Sequence, residues 1–313
     1  MSSVSRDPGH APQQASASPY DALVFAGGGC RCFWQAGFYG VIGSGLALNP
    51  QVVTAASAGA AFACAVLLGR QEVVVRDFKE RANQNLRNWY PRNWMRGETV
   101  FPHEEIYRST IEATISDSDF KRLRAGPDIR ILLARPPRWA DGRLGFALAA
   151  LAYTLDQSPA LSHLQWPQRF GFVPEIVSLR DCSSLDALVE LILHSSCTPP
   201  LLPLYQREGR TVLDGGLVDN VPAEFVGPAR STLVMLSRHH HRDELPAHPG
   251  RTYVGPSRPI PIDKWDYTSP SLVDQTYDLG RRDGEAFLNA FDSQGEAIDF
   301  ASFGRTASLP IAG

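Results

Sequence analysis

The chain has 313 residues, 43% hydrophobic and 20% charged, with a formal net charge of −3 at pH 7. That apolar content can bury a large core in one domain, and the charge argues against nucleic acid as a main partner while giving no strong pull toward anionic membranes. The five cysteines at 30, 32, 64, 182 and 197 form no CxxC pair and no metal-like grouping with histidine, so they read as reduced, packed thiols of a cytoplasmic protein with no metal and no cofactor expected.

Residues 1–19 are rich in Ser, Ala, Pro and Gln and lack the apolar core of a signal peptide, so a disordered lead-in is expected. The first strand is Ala22 to Phe25, followed by Gly27-Gly28-Gly29 and a helix from near Phe33. Backbone N–H groups exposed at Gly28 and Gly29 suit an anion at that helix start. A dinucleotide loop is disfavoured, because Cys32 stands where a third glycine belongs and no Asp or Glu occurs from Ala22 to Gln71 to hold a ribose. A phosphate loop fails for want of a following Lys. A glycine turn without chemistry is the bland alternative, and the next βα unit argues against it. There Val52-Val53-Thr54 feeds Ser57, and a small-residue helix from Ala58 to Leu68 follows, which is the context of a nucleophile elbow. The positions two before and two after the serine must be small, and Ala55 and Gly59 satisfy that.

Helices are expected at Glu72 to Asn85 and Glu104 to Ile115. Between them Arg87 to Arg96 interleaves aromatic and cationic side chains; packing against the body is the expectation, and peripheral membrane contact the alternative. A strand follows at Ile129 to Ala134. The apolar run Leu144 to Leu155 is too short to span a bilayer and reads as a core helix in preference to an acyl channel or lid. After a strand at Val173 to Leu179, Ser183 and Asp186 signal the start of a helix that Pro199-Pro200 forbids from continuing. Strands at Thr211 to Leu213 and Thr232 to Ser237 complete the pattern. Strands separated by helices imply a three-layer α/β/α sandwich with a mostly parallel central sheet. Recurrent prolines mark 242–270 as a surface loop, and a last helix is expected at about 271–291.

The third chemical element is Asp214-Gly215-Gly216. Two glycines after a carboxylate let the backbone turn sharply and leave the side chain free to face a cleft, where Asp214 can act as base toward Ser57. His239, His240 and His241 follow the Thr232 to Ser237 strand, so a Ser57, Asp214, His240 triad in α/β-hydrolase order is formally open; a polar loop is the competing reading.

Gly27 to Arg31, Ala55 to Gly59 and Asp214 to Gly216 occur in the order of the GGGxR, GxSxG and DG[GA] motifs, and the chain resembles the patatin-like phospholipase family of serine acyl hydrolases. The likeness covers about residues 20 to 240, including Asn220 and Pro222 and the segment His194 to Pro199. Ala55 replaces the first elbow glycine, and Cys32 the glycine that commonly follows the loop arginine. The resemblance implies a patatin-like domain over 20–313, a Ser57/Asp214 dyad, an oxyanion hole at Gly27, Gly28, Gly29 and Arg31, supporting roles for Ala55, Gly59, Gly215 and Gly216, and a lipid or other ester as substrate. For Arg31 a helix-start ion pair is the competing role. A catalytically silent lipid-binding protein of the same fold is the alternative from another class. Oligomeric state and acyl specificity are not legible.

Overall fold

The computed structural model describes residues 18–140, 142, 171–240 and 248–294. In chain order the strands are β1 (Ala22–Phe25), β2 (Val52–Ala56), β3 (Asp128–Arg135), β4 (Val173–Ser178), β5 (Tyr205–Arg207), β6 (Arg210–Asp214), β7 (Thr232–Met235) and β8 (Arg251–Val254). The helices are α1 (Phe33–Gly45), α2 (Ala58–Leu67), α3 (Gln71–Gln84), α4 (His103–Thr114), α5 (Asp117–Ala125), α6 (Leu185–Ser195) and α7 (Pro270–Gln294), with short 3-10 turns between.

The strands form one sheet in the order β5-β6-β3-β2-β1-β7-β8, with β4 also paired to β3. From β3 to β8 along that order all neighbours are parallel. β4 and β6 run antiparallel to β3, and β5 antiparallel to β6. The result is the expected mostly parallel sheet flanked by helices. Strand β1 is buried at every position, as an unbroken apolar run in a central parallel strand requires. Its side chains alternate between faces: Leu23 and Phe25 join the main core with α1, α2 and α3, while Ala22 and Val24 pack with Ala223 and Val226 on the other side.

Helix α1, which leaves the glycine turn, is held by α7. Trp34 stacks on Phe38 with ring centroids 4.9 Å apart, Phe38 meets Phe287 at 5.5 Å, and Trp34 Nε1 donates to the buried Asp283 carboxylate at 2.7 Å. The two backbones touch at glycines: a Cβ at Gly280 would run into the Trp34 carbonyl and stand 2.9 Å from Phe38 N.

Several expectations differ in detail. The stretch 242–270 is not simply a surface loop, because it contributes β8 and buries Ile262 and Tyr267. Flanking prolines hide a strand of only four residues. The cap of α6 is Ser184, which accepts the Ala187 N–H at 3.2 Å, and not Ser183; adjacent serines leave the register open until the helix forms. Helix α5 was not expected, although Ser116 and Asp119 close a capping box at its start. The segment Arg87 to Arg96 is anchored to the body through Asn88 but does not pack its large apolar side chains there: Trp94 is 82% and Met95 80% exposed. Leu144 to Leu155, the lead-in before residue 18 and residues 295–313 lie outside the described residues. No helix among the described residues is long and apolar enough to cross a membrane.

Replacing a helix-interior glycine by alanine ordinarily stabilises by about 0.5–1 kcal/mol. Gly280→Ala is expected to do the opposite, losing about 1–3 kcal/mol because the methyl group wedges α1 from α7. Urea unfolding of the variant checks the sign, and a gain in stability would refute the close-contact account.

Candidate active site

Phe25 of β1 lies opposite Ala55 of β2 in a parallel ladder, so the loops leaving their carboxyl ends adjoin. The Gly27–Gly29 loop and the turn at Ser57 therefore sit side by side, the place where open α/β sheets bind ligands. Ser57 has φ 54 and ψ −138, a backbone state that costs a non-glycine residue about 1–3 kcal/mol and persists only when its surroundings fix it. They do so here. The Ser57 N–H donates to Ser195 Oγ at 2.8 Å, and that hydroxyl donates onward to the Leu132 carbonyl at 2.7 Å. At Gly59 a Cβ would stand 2.7 Å from the carbonyl oxygens of Phe25 and Ala26, so helix α2 can start against β1 only with glycine there. Ala55 is fully buried within the ladder, where its methyl group is accommodated.

The antiparallel strand β6 brings Asp214 opposite Leu133 of β3. From there its Oδ2 accepts the Ser57 hydroxyl at 2.8 Å, and its Oδ1 accepts the Gly216 N–H at 2.6 Å. The 3-10 turn that provides this N–H begins at Gly215, where an added Cβ would run into the Leu132 carbonyl. Ser57 and Asp214 are 6% and 7% exposed. Burial pushes the Asp214 carboxyl up to about 6, against the opposing pull of the Ser57 and Gly216 hydrogen bonds and the Lys264 charge.

No histidine stands between the two groups. Ser57 meets Asp214 directly, and the partners of the Asp214 carboxylate are Ser57 and Gly216, so the Ser57, Asp214, His240 alternative is not assembled. The sheet order explains this: the histidines follow β7, on the far side of β1 from β2 and β6. His239 Nδ1 lies 2.8 Å from the Pro256 carbonyl, and His241 is outside the described residues.

The glycine loop is clamped from several sides. Gly27 N–H donates to the Asn220 carbonyl at 3.0 Å, while its own carbonyl accepts Asn220 Nδ2 at 3.0 Å and the Ser237 hydroxyl in a short bond. Buried Gln35 donates from Nε2 to the carbonyls of Ala26 and Met235, both at 3.0 Å. Gly29 takes a left-handed φ of +56 and packs on the Lys264 carbonyl. Among the described residues the N–H groups of Gly28, Gly29 and Ala58 donate to no acceptor, whereas that of Gly27 is engaged. Arg31 departs from the oxyanion expectation: its N–H donates to the Gly28 carbonyl at 3.2 Å and its guanidinium pairs with Asp263 at 3.4 Å, which is the ion-pair alternative. Ser195, Ser237 and Gln35 reach the site through contacts distant in sequence that no local pattern discloses. Only Ala58 carried a local signal, its place directly after the elbow serine.

An apolar pocket opens next to Ala58, the residue after the serine, and is lined by Gly29, Phe33, Phe62, Phe78, Tyr107 and Tyr267 among others. Gly29 and Ala58 carry two of the three unengaged N–H groups. All five cysteines are unpaired and buried, and burial pushes the Cys64 and Cys197 thiols up to about 12, so they are packing residues. Among the described residues no three His, Cys, Asp or Glu side chains are grouped to hold a metal ion.

A family model described as patatin-like phospholipase matches residues 23–226. The crystal structure of VipD from Legionella pneumophila is 13% identical, with 92% of this chain and 73% of that chain covered, at a TM-score of 0.39. No curated protein matches the chain in sequence. The family match covers more than half of the chain and contains the glycine loop, the serine turn and the Asp214 strand, and on it the chain belongs to the patatin-like phospholipase family, a family of lipid acyl hydrolases.

Proposed function

We propose that the protein cleaves carboxylic ester bonds of phospholipids or related lipids through a Ser57/Asp214 dyad and an acyl-enzyme intermediate. The observation that carries this reading is the direct 2.8 Å hydrogen bond from Ser57 Oγ to a buried carboxylate whose pKa is raised to about 6. At that value the carboxylate is ionised at neutral pH yet basic enough to take a proton as the serine attacks.

In the proposed reaction Ser57 Oγ bonds to the ester carbonyl carbon as its proton passes to Asp214. The N–H groups of Gly28, Gly29 and Ala58 receive the developing oxyanion. Collapse breaks the ester C–O bond, and the leaving alkoxide takes the proton from Asp214, leaving acyl-Ser57. Asp214 then removes a proton from water as it attacks the acyl carbon, and returns that proton to Ser57 Oγ when the carboxylic acid departs. The apolar pocket beside Ala58 receives the acyl chain. Arg31 and Gly27 serve as clamps of the loop and not as donors.

Ser57→Ala and Asp214→Ala are each expected to lower hydrolysis of a nitrophenyl ester by about four orders of magnitude or more, with the fold retained. A fluorophosphonate probe should label the native chain and not Ser57→Ala. Absence of labelling in the native chain would turn the reading toward a catalytically silent lipid-binding protein. Replacing His239, His240 and His241 together by Ala should leave labelling intact.

The kcat/KM profile should rise with pH along a single acid limb centred near 6, as Asp214 ionises. A limb near the ordinary carboxylate value would show that burial does not tune the base.

The same shift affects folding. The folded-state pKa of Asp214 lies above its ordinary 3.8, so the stability that the protonated carboxyl retains below 3.8 is lost as pH rises through about 6. Asp214→Asn escapes that loss, and its stability should exceed that of the native chain by up to about 3 kcal/mol at pH 8, with the advantage vanishing below pH 3.8. Thermal unfolding at both ends of this window reads the difference.

A further inference from the structure

Between α3 and α4, Leu86 is 82%, Trp89 57%, Trp94 82% and Met95 80% exposed, four of the six large apolar side chains that stand out into solvent among the described residues. They are not on a loose strand of chain. The Tyr90 hydroxyl accepts the N–H groups of Leu86 and Arg87 at 3.1 and 3.2 Å and donates to Asn85 Oδ1 at 2.9 Å. Tyr90 N–H donates to the Val100 carbonyl at 2.9 Å, Asn93 Nδ2 to the Thr99 carbonyl at 2.9 Å, and Gly97 closes the turn at φ 68. A hydrogen-bonded backbone thus displays tryptophan and methionine away from the core, which contributes nothing to the stability of the isolated chain.

What covers this face is indicated by charge. Arg87, Arg92 and Arg96 are interleaved with the apolar side chains, all exposed and none ion-paired among the described residues, against the one carboxylate of Glu98. Indole rings and a thioether that enter the headgroup boundary, with guanidinium groups at the level of phosphates, are the chemistry of an anionic lipid surface. Position agrees. The loop joins two of the helices that wall the apolar pocket, through Phe78 of α3 and Tyr107 of α4. Its start is tied to a third wall residue, with Asn85 Nδ2 donating to the Tyr267 carbonyl at 3.0 Å and Tyr267 N–H donating to Asn88 Oδ1 at 2.9 Å.

We infer that residues 86–98 dock the protein on the anionic surface of a phospholipid bilayer, with Trp89, Trp94 and Met95 inserted and the three arginines on lipid phosphates. The inference rests on the acyl-hydrolase reading for why docking is useful, and not for the binding itself.

The test uses the full chain carrying Ser57→Ala, so that no lipid is consumed, in co-sedimentation with phosphatidylcholine vesicles with and without phosphatidylserine. Binding is expected to the phosphatidylserine vesicles and to weaken in high salt. Trp89→Ser with Trp94→Ser should lower partitioning at least about ten-fold, and each Arg→Gln change at 87, 92 or 96 about five-fold. All five side chains are exposed, so circular dichroism should be unchanged. Vesicle binding that survives both sets of changes, or no binding by the parent chain, overturns the inference. Self-association lost with the same tryptophans, in the absence of vesicle binding, would assign the face to a protein contact and overturn it too. Fluorophosphonate labelling of the chain with Ser57 intact separates the two readings: labelling without vesicle binding sinks only the docking role, and vesicle binding without labelling sinks only the hydrolase.

Discussion

A hydroxyl held against a carboxylate with no imidazole between them sets the terms for the rest of this molecule. An ordinary aspartate, with a pKa near about 4, is too weak a base for serine at neutral pH. Seclusion of Asp214 in the sheet raises it to about 6, and its two oxygens are aimed by different donors, Ser57 and the Gly216 N–H. The same seclusion serves the amide groups opposite, since preorganised N–H dipoles stabilise a developing charge more strongly where water is excluded. A single property, dryness at the carboxyl ends of β1 and β2, therefore supports both the proposed base and the proposed oxyanion site. Its cost is a carboxylate that is ionised where burial opposes ionisation, the kind of local instability that working sites retain.

The second constraint is backbone strain at Ser57, and the scaffold distributes its support over distant segments. Ser195 reaches the serine N–H from the last turn of α6 and is itself tied to β3 through the Leu132 carbonyl. Asn220 and Ser237 hold the Gly27 carbonyl from either side of a chain reversal. The buried Ser57 N–H would be orphaned if Ser195 were lost, which makes its removal more costly than the bond's modest net contribution, whereas the Gly27 carbonyl is held by two donors at once. Such a network specifies one geometry of the elbow and excludes its relaxed alternatives.

This division between local and distant determinants also decides what the amino-acid sequence discloses. Strand β1, the serine turn and the Asp-Gly-Gly turn are legible because each is encoded within about five residues by glycine placement and apolar runs. The supports are not: Ser195, Asn220 and Ser237 lie 138, 193 and 210 residues from their partners, and a hydrogen bond at that separation leaves no periodic trace. Strand direction was likewise hidden, because the spacing of β4 and β6 suits a crossover as well as the antiparallel pairing they adopt with β3. For Arg87 to Arg96, a packed amphipathic turn and an exposed one have the same composition. Only the hydrogen bonds that turn Tyr90 inward and leave Trp94 outward distinguish them.

The family match ends at Val226, yet the site is closed by residues well beyond it. Cys30 N–H donates to the Lys264 carbonyl at 3.0 Å, Cys30 Sγ to the Asp266 carbonyl at 3.4 Å, and Arg31 pairs with Asp263. Segment 263–267 thereby fixes the outer edge of the glycine loop. Its last residue, Tyr267, packs on Phe78 at a centroid distance of 4.9 Å as part of the pocket wall, accepts a bond from Asn85 Nδ2 and donates its N–H to Asn88 Oδ1, the two bonds that anchor the exposed tryptophan loop. Glycine loop, apolar pocket and surface loop are thus fastened to one short piece of chain. Such continuity does not by itself transmit a signal, which requires an element with two arrangements. What it provides is fixed relative placement: if the tryptophans lie in a bilayer, the pocket wall is tied directly to that surface through Tyr267.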